Sequence, residues 1–135
     1  MAKTIQVTCA IILHEGKILV AQRGKKMNLP LKWEFPGGKI EANESAEACL
    51  IREIKEELNI EIEIKMAFKS NFHSYEEGKE IELIPFLSGY ISGHLIVKEH
   101  QQIQWIEPEN LLILDWADAD VPIVNDFIEW FKVNH

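Results

Sequence analysis

Apolar and polar positions along the chain alternate or cluster in ways that predict most of its elements. Ile5 to Leu13 is rich in β-forming residues and predicts a strand. Glu15-Gly16 turns the chain, and Lys17 to Gln22 predicts the returning strand. Gly24 to Lys32 is polar, contains Pro30 and predicts a loop. Trp33 to Phe35 predicts a short extended piece halted by Pro36-Gly37-Gly38. Ser45 to Leu58 predicts a helix, with Ser45 as N-cap and Asn59 where a left-handed residue ends it. Ile60, Ile62 and Ile64 alternate, so Ile60 to Ser74 holds one or two β segments. The Glu76 to Lys79 turn leads into a strand over Ile81 to Ile91, and Ser92-Gly93 turns again. Leu95 to Val97 and Gln102 to Ile106 predict shorter strands, and Pro108 to Leu114 a short helix. Pro122 to Val133 predicts a C-terminal helix, with Ile123, Phe127, Trp130 and Phe131 on one side. Two helices and a larger number of strands predict an α+β or α/β/α sandwich on a mixed sheet, as one domain over 1–135.

Composition narrows the picture little, and charge narrows it more. The 135 residues are 47% hydrophobic and 27% charged, which suits a folded globular chain. No apolar run reaches the roughly 18 residues of a membrane span, and Cys9 to Leu13 is too short for a signal-peptide core. Two cysteines make no framework, so the expectation is a reduced, cytoplasmic protein, monomer or homodimer. With 14 Lys plus Arg against 22 Asp plus Glu, the net charge is −8. Such a chain offers little counterion release to a nucleic-acid polymer. It suits a small polyanion bridged to it by divalent cations.

The chemistry concentrates on the predicted helix. Glu53, Glu56 and Glu57 stand at i, i+3 and i+4, within an arc of roughly 100°. With Leu50 at zero, Ile54 lies near about +40°, Glu57 near about −20° and Glu53 near about −60°. Glu57 therefore falls inside the apolar stripe and Glu53 at its margin, where a merely solvated face would place no carboxylate. Clustered carboxylates repel one another, and Mg²⁺ or Mn²⁺, as hard cations, relieve that repulsion.

The stretch from Gly38 to Ile60 resembles the Nudix box, G-x5-E-x7-R-E-U-x-E-E-x-G-U with U aliphatic. Gly38, Glu44, Arg52, Glu53, Ile54, Glu56, Glu57 and Ile60 match. The second box glycine is Asn59 here, the mildest departure, because Asn tolerates the left-handed conformation next best. Trp33 to Glu41 is similar to the lead-in of MutT-type nucleoside triphosphate pyrophosphohydrolases. Glu99 to Trp105 and Ala117 to Pro122 are similar to the bacterial CTP pyrophosphohydrolase branch.

The resemblance implies the Nudix α/β/α sandwich and Mg²⁺-dependent hydrolysis of a (deoxy)nucleoside triphosphate to monophosphate and diphosphate. CTP- or dCTP-type nucleotides and 8-oxo-dGTP are the implied substrates, and cleansing of the nucleotide pool the implied role. It implies Glu56 and Glu57 as metal ligands, with the Gly37 carbonyl beside them on a tight Gly37-Gly38 turn. Glu53 is a ligand or the general base, and Glu99 is the other candidate for either role. Arg52 orients the catalytic glutamate, although an i, i+4 pair with Glu56 is the plainer reading. Glu44 favours the helix dipole and ties to Arg52 or the metals. Arg23, Phe35, Gly37, Gly38 and Asp120 are implied substrate contacts, set against a core role for Phe35 and a plain N-cap role for Asp120. An ionised Asp120 only accepts hydrogen bonds, which suits the exocyclic amine of cytosine. The five histidines show no ligand spacing and receive no role. Two alternatives share the fold: a hydrolase of another nucleoside diphosphate derivative, and a non-catalytic binding module.

Overall fold

A computed structural model describes residues 3–135. Strand β1 (Lys3–His14) is apolar on both faces from Cys9 to Ile12, so it belongs in the middle of a sheet covered on both sides. It pairs antiparallel with β2 (Lys17–Gln22) and with β4 (Gly37–Lys39). It pairs in parallel with the long β7 (Lys79–Gly93) over ten residues, Lys3↔Lys79 to Ile12↔Ser88. Strand β3 (Trp33–Glu34) and β8 (Gln102–Ile106) flank β2. Strands β5 (Ile60–Ala67) and β6 (Asn71–Glu76) flank β7.

The two helices cover opposite faces. Ala10, Ile12 and Leu19 point to α1 (Ala46–Leu58), packing against Leu50, Ile54 and Leu58. Cys9, Ile11, Ile18 and Val20 point the other way, to Ile123, Val124 and Phe127 of α2 (Val121–Asn134). This is the period-two pattern of a strand sandwiched between helices. The expected mixed-sheet sandwich is the observed fold. Among the described residues no helix is long and apolar enough to cross a membrane.

The helix ends behave as their residues dictate. Ser45 accepts the Ala48 N–H at 3.1 Å, and Asn59 takes a φ of 61° and returns its N–H to the Lys55 carbonyl. The Asn59 amide also donates to the His94 carbonyl at 3.1 Å, which a glycine would forfeit. Asn59→Gly is therefore expected to change stability by less than about 1 kcal/mol, the eased backbone offsetting the lost bond. Asn59→Ala, which loses the bond and keeps the strain, is expected to cost about 1–2 kcal/mol. Chemical denaturation of both variants reads this contrast.

Three local expectations need correction. Gly37 and Gly38 are not a turn: they sit in β4, opposite Cys9 and Thr8. Their lack of a side chain answers to crowding. A Cβ at Gly37 would overlap the Thr8 carbonyl oxygen, and one at Gly38 would overlap the carboxyl carbon of Glu53. Leu95 to Val97 forms no strand; Ile96 instead donates its N–H to Leu58 at the end of α1. Ser92 and Gly93 do not turn but continue β7, paired with Glu61 and Ile60, whereas the expected short helix after Pro108 is present as the 3-10 helix Pro108–Ile113.

Candidate active site

Helix α1, β4 and the chain after β7 converge on a cleft of about 760 Å³. Gly37, Gly38, Glu53 and Glu57 line one part, Arg23, Glu34, Phe35 and Asp120 another, and Glu99 and His100 stand in its wall. Of the residues expected from the sequence, Arg52, Glu44 and Glu56 lie outside the lining.

Those three form a supporting web. Arg52 grips Glu44 with two bonds, Nε to Oε2 at 2.7 Å and Nη2 to Oε1 at 2.9 Å. Its Nη1 donates to Glu53 at 2.9 Å and to Glu56 at 3.1 Å. The planar guanidinium thus ties Glu53 to a carboxylate placed before the helix. Glu44 also accepts the Glu41 N–H, and the Arg52 bonds chiefly hold its carboxyl down at about 2. The i, i+4 contact to Glu56 is one strand of this web and not its purpose. Glu56 itself is largely exposed and turned to Arg52.

Glu57 sits in the apolar stripe, as the wheel requires, and is only 8% exposed. Its Oε2 is buried without a hydrogen-bond partner. Burial, and then the acids Glu53, Glu99 and Glu34, push its carboxyl up to about 9. Among the described residues, no three His, Cys, Asp or Glu side chains are gathered at one point as metal ligands. The residues nevertheless fit a divalent cation. A buried carboxylate oxygen without a partner, with further acids acting on it, is what a hard cation satisfies. Glu57 and Glu53 would hold such an ion, and Glu99 lines the same cleft.

The same cleft holds a polar pocket in an apolar wall. Phe35 is 3% exposed and packs on Trp116 with ring centroids 4.9 Å apart, so its ring is both core and wall. Its backbone N–H donates to Asp120 Oδ2 at 2.9 Å. Asp120 precedes α2 but caps nothing, and the plain N-cap reading is corrected on that point. Burial pushes its carboxyl up to about 8, Glu34 adding to the effect while the Phe35 bond and Arg23 oppose it. Its proton is thus held towards the neutral range, and in the protonated form Asp120 donates as well as accepts, where the sequence reading gave it an acceptor only.

Two residues of this pocket went unassigned from the sequence. Glu34 accepts from Arg23 Nη1 at 2.6 Å on one oxygen and meets His100 Nε2 at 2.8 Å on the other. An acid between Trp33 and Phe35 in a strand was a signal, because a carboxylate among aromatics needs partners. His100 carried no signal beyond adjacency to Glu99.

The NUDIX domain family matches residues 3–131. The chain is 39% identical over 131 residues to the CTP pyrophosphohydrolase of Escherichia coli (strain K12), covering 93% of each. It is 30% identical over 124 residues to the 8-oxo-dGTP diphosphatase of Buchnera aphidicola subsp. Schizaphis graminum, covering 92% of this chain and 93% of that one. The solution structure of the E. coli ORF135 protein superposes with a TM-score of 0.84 at 36% identity, over 98% of this chain and 94% of that one. With the box residues Arg52, Glu53, Glu56 and Glu57 on one helix beside the cleft and the sandwich around them, the chain belongs to the Nudix hydrolases, which act on small nucleotide derivatives with a divalent metal ion.

Proposed function

We propose that this protein is a Mg²⁺-dependent nucleoside triphosphate pyrophosphohydrolase that releases a (deoxy)nucleoside monophosphate and diphosphate, and so cleanses the nucleotide pool. The observation that carries the reading is one cleft lined both by Glu53 and Glu57, with the buried unpartnered oxygen of Glu57, and by the linked Arg23–Glu34–Asp120 group. The relatives' names favour this substrate class over other nucleoside diphosphate derivatives.

In this reading the Asp120 carboxyl and Arg23 hold the base and the adjoining sugar or phosphate, with Phe35 as wall. The triphosphate then runs towards α1. Glu53, held by Arg52, takes the proton of a water, whose oxygen bonds the β-phosphorus. The bond from the β-phosphorus to the bridging oxygen breaks, and that oxygen leaves on the monophosphate. Glu99 is the alternative base on the facing loop. Bound Mg²⁺ neutralises charge on the phosphates, which an acidic chain cannot do alone.

The test is product release from CTP, dCTP, 5-methyl-dCTP, dGTP and 8-oxo-dGTP with Mg²⁺, assaying phosphate with and without inorganic pyrophosphatase. Phosphate that appears only with pyrophosphatase supports cleavage to monophosphate and diphosphate. No turnover on any of the five refutes the reading. Glu57→Gln is expected to raise the Mg²⁺ concentration for half-maximal rate about tenfold or more, as loss of a charged ligand does. An unchanged metal titration removes Glu57 from the ligand set.

A further inference from the structure

His100 has the marks of a residue placed for its hydrogen bond and not for its bulk. Its side chain is only 2% exposed, yet it stands in the wall of a polar cleft. Nε2 lies 2.8 Å from Glu34 Oε2, so the proton on that nitrogen points at the carboxylate. Nδ1 is buried with no partner. A leucine would fill the space without stranding a polar atom, so the Nε2 bond is what offsets the burial.

That bond completes the anchoring of Glu34. With His100 on Oε2 and Arg23 Nη1 on Oε1 at 2.6 Å, the carboxylate has a separate donor on each oxygen and one orientation. Glu34 in turn directs Arg23, whose Nε donates to the Asn28 carbonyl at 2.5 Å. Two of the guanidinium nitrogens are thereby committed to protein, whereas Nη2 makes no hydrogen bond to the described residues, and Arg23 lines the cleft. The loop that carries His100 is itself fixed, since Gln101 donates its N–H to Gln22 at 2.8 Å. His100, Glu34 and Arg23 form one chain from the loop after β7 to the end of β2.

We propose that His100 is a positioning residue for the nucleotide: by holding Glu34 it fixes the angle at which Arg23 meets the substrate. It therefore governs affinity and leaves the hydrolytic step alone. The inference rests on the assignment of Arg23 as a substrate contact under the proposed function.

His100→Leu and His100→Gln test it, because the Gln side chain keeps a donor at the reach of Nε2 and Leu keeps only volume. KM and kcat are measured on the triphosphate that the wild type turns over best, with saturating Mg²⁺. Metal-free binding of the corresponding nucleoside monophosphate is measured by calorimetry. His100→Leu is expected to raise KM and the monophosphate Kd about tenfold, the scale of one charge-assisted hydrogen bond. Its kcat is expected to stay within about threefold, and His100→Gln to stay within about threefold of wild type in every constant. Adding His100→Leu to Glu34→Gln is expected to weaken binding less than about twofold further, since the two act in series.

An unchanged KM in His100→Leu overturns the proposal. So does a fall in kcat at constant KM, which would place the effect on neighbouring Glu99. Equal damage in the Gln and Leu variants overturns it too, because that reports volume. If His100→Leu does not fold, Glu34→Gln decides: it keeps the imidazole as filler, and an unchanged KM there overturns the proposal. Wild-type inactivity on every triphosphate refutes the proposed function instead, and the binding constants of CMP, used then as the monophosphate, still read this one.

Discussion

Glu53→Gln is expected to lower kcat about 10²- to 10³-fold, the scale of a lost general base or metal ligand. The reason lies in how Glu53 is held. One of its oxygens accepts from Arg52 Nη1 at 2.9 Å, and Gly38 lies against it so closely that a Cβ there would overlap its carboxyl group. A glutamine fits that space, so the fold and the web around Glu44 stay in place. The amide must then turn its oxygen to the guanidinium, because its NH₂ would face five donors and no acceptor. That leaves an NH₂ aimed into the cleft where an acceptor stood. The group can neither take a proton from water nor ligate a cation. KM for the nucleotide is expected to move little, since the base pocket is untouched. Steady-state rates at saturating nucleotide and Mg²⁺, with the melting temperature as a folding check, read the outcome. A near-normal kcat sinks both roles for Glu53.

The helix that carries this residue was legible because its signals are local. Ser45, the Leu50–Ile54–Leu58 stripe and Asn59 each state their position through a bond or angle within a few residues. The place of Glu57 in that stripe followed from helical geometry alone, and its burial agrees. Where the reading failed, the cause was non-local. The two glycines before the helix look like a turn in isolation, because Gly-Gly is turn chemistry. Only the packing of β4 on β1, and of Glu53 over Gly38, shows that they are glycines for want of room. Leu95 to Val97 had strand-like residues but no neighbouring strand to pair with. Glu34 and His100 stand 66 residues apart and meet only because β8 lies beside β2 and carries its preceding loop to the end of β3. A scattered histidine announces nothing until the topology supplies its carboxylate.

Asp120 is where burial reverses the chemistry inferred from residue type, and its consequence is a pH-dependent choice of base. With its carboxyl pushed up to about 8, Asp120 carries a proton at neutral pH and loses it above. Protonated, it donates to a carbonyl such as guanine O6; ionised, it accepts only and favours the exocyclic amine of cytosine. The ratio of kcat/KM for 8-oxo-dGTP to that for dCTP is therefore expected to fall as pH rises through about 8, by roughly tenfold or more. Asp120→Asn presents a donor and an acceptor at every pH, so in that variant the Asp120-dependent part of the fall is expected to vanish. Any slope that survives belongs to the nucleotides. An identical profile in both proteins would remove Asp120 from base reading.

Stability gives an independent check that needs no ligand. The unfolded Asp has its ordinary value near 4, well below the folded value, so between those limits the native state binds a proton that the unfolded chain lacks. This stabilising contribution is full below about pH 4 and is lost as pH rises through about 8, at about 1.4 kcal/mol per pH unit. In Asp120→Asn the side-chain amide has no such proton to bind. The variant's advantage over wild type in unfolding free energy, without ligand, is therefore expected to grow from pH 5 to pH 8 and then level off. Denaturation curves at a series of pH values read that growth directly. A constant difference would mean that the carboxyl stays ionised in the fold, and the cytosine reading would regain its ground.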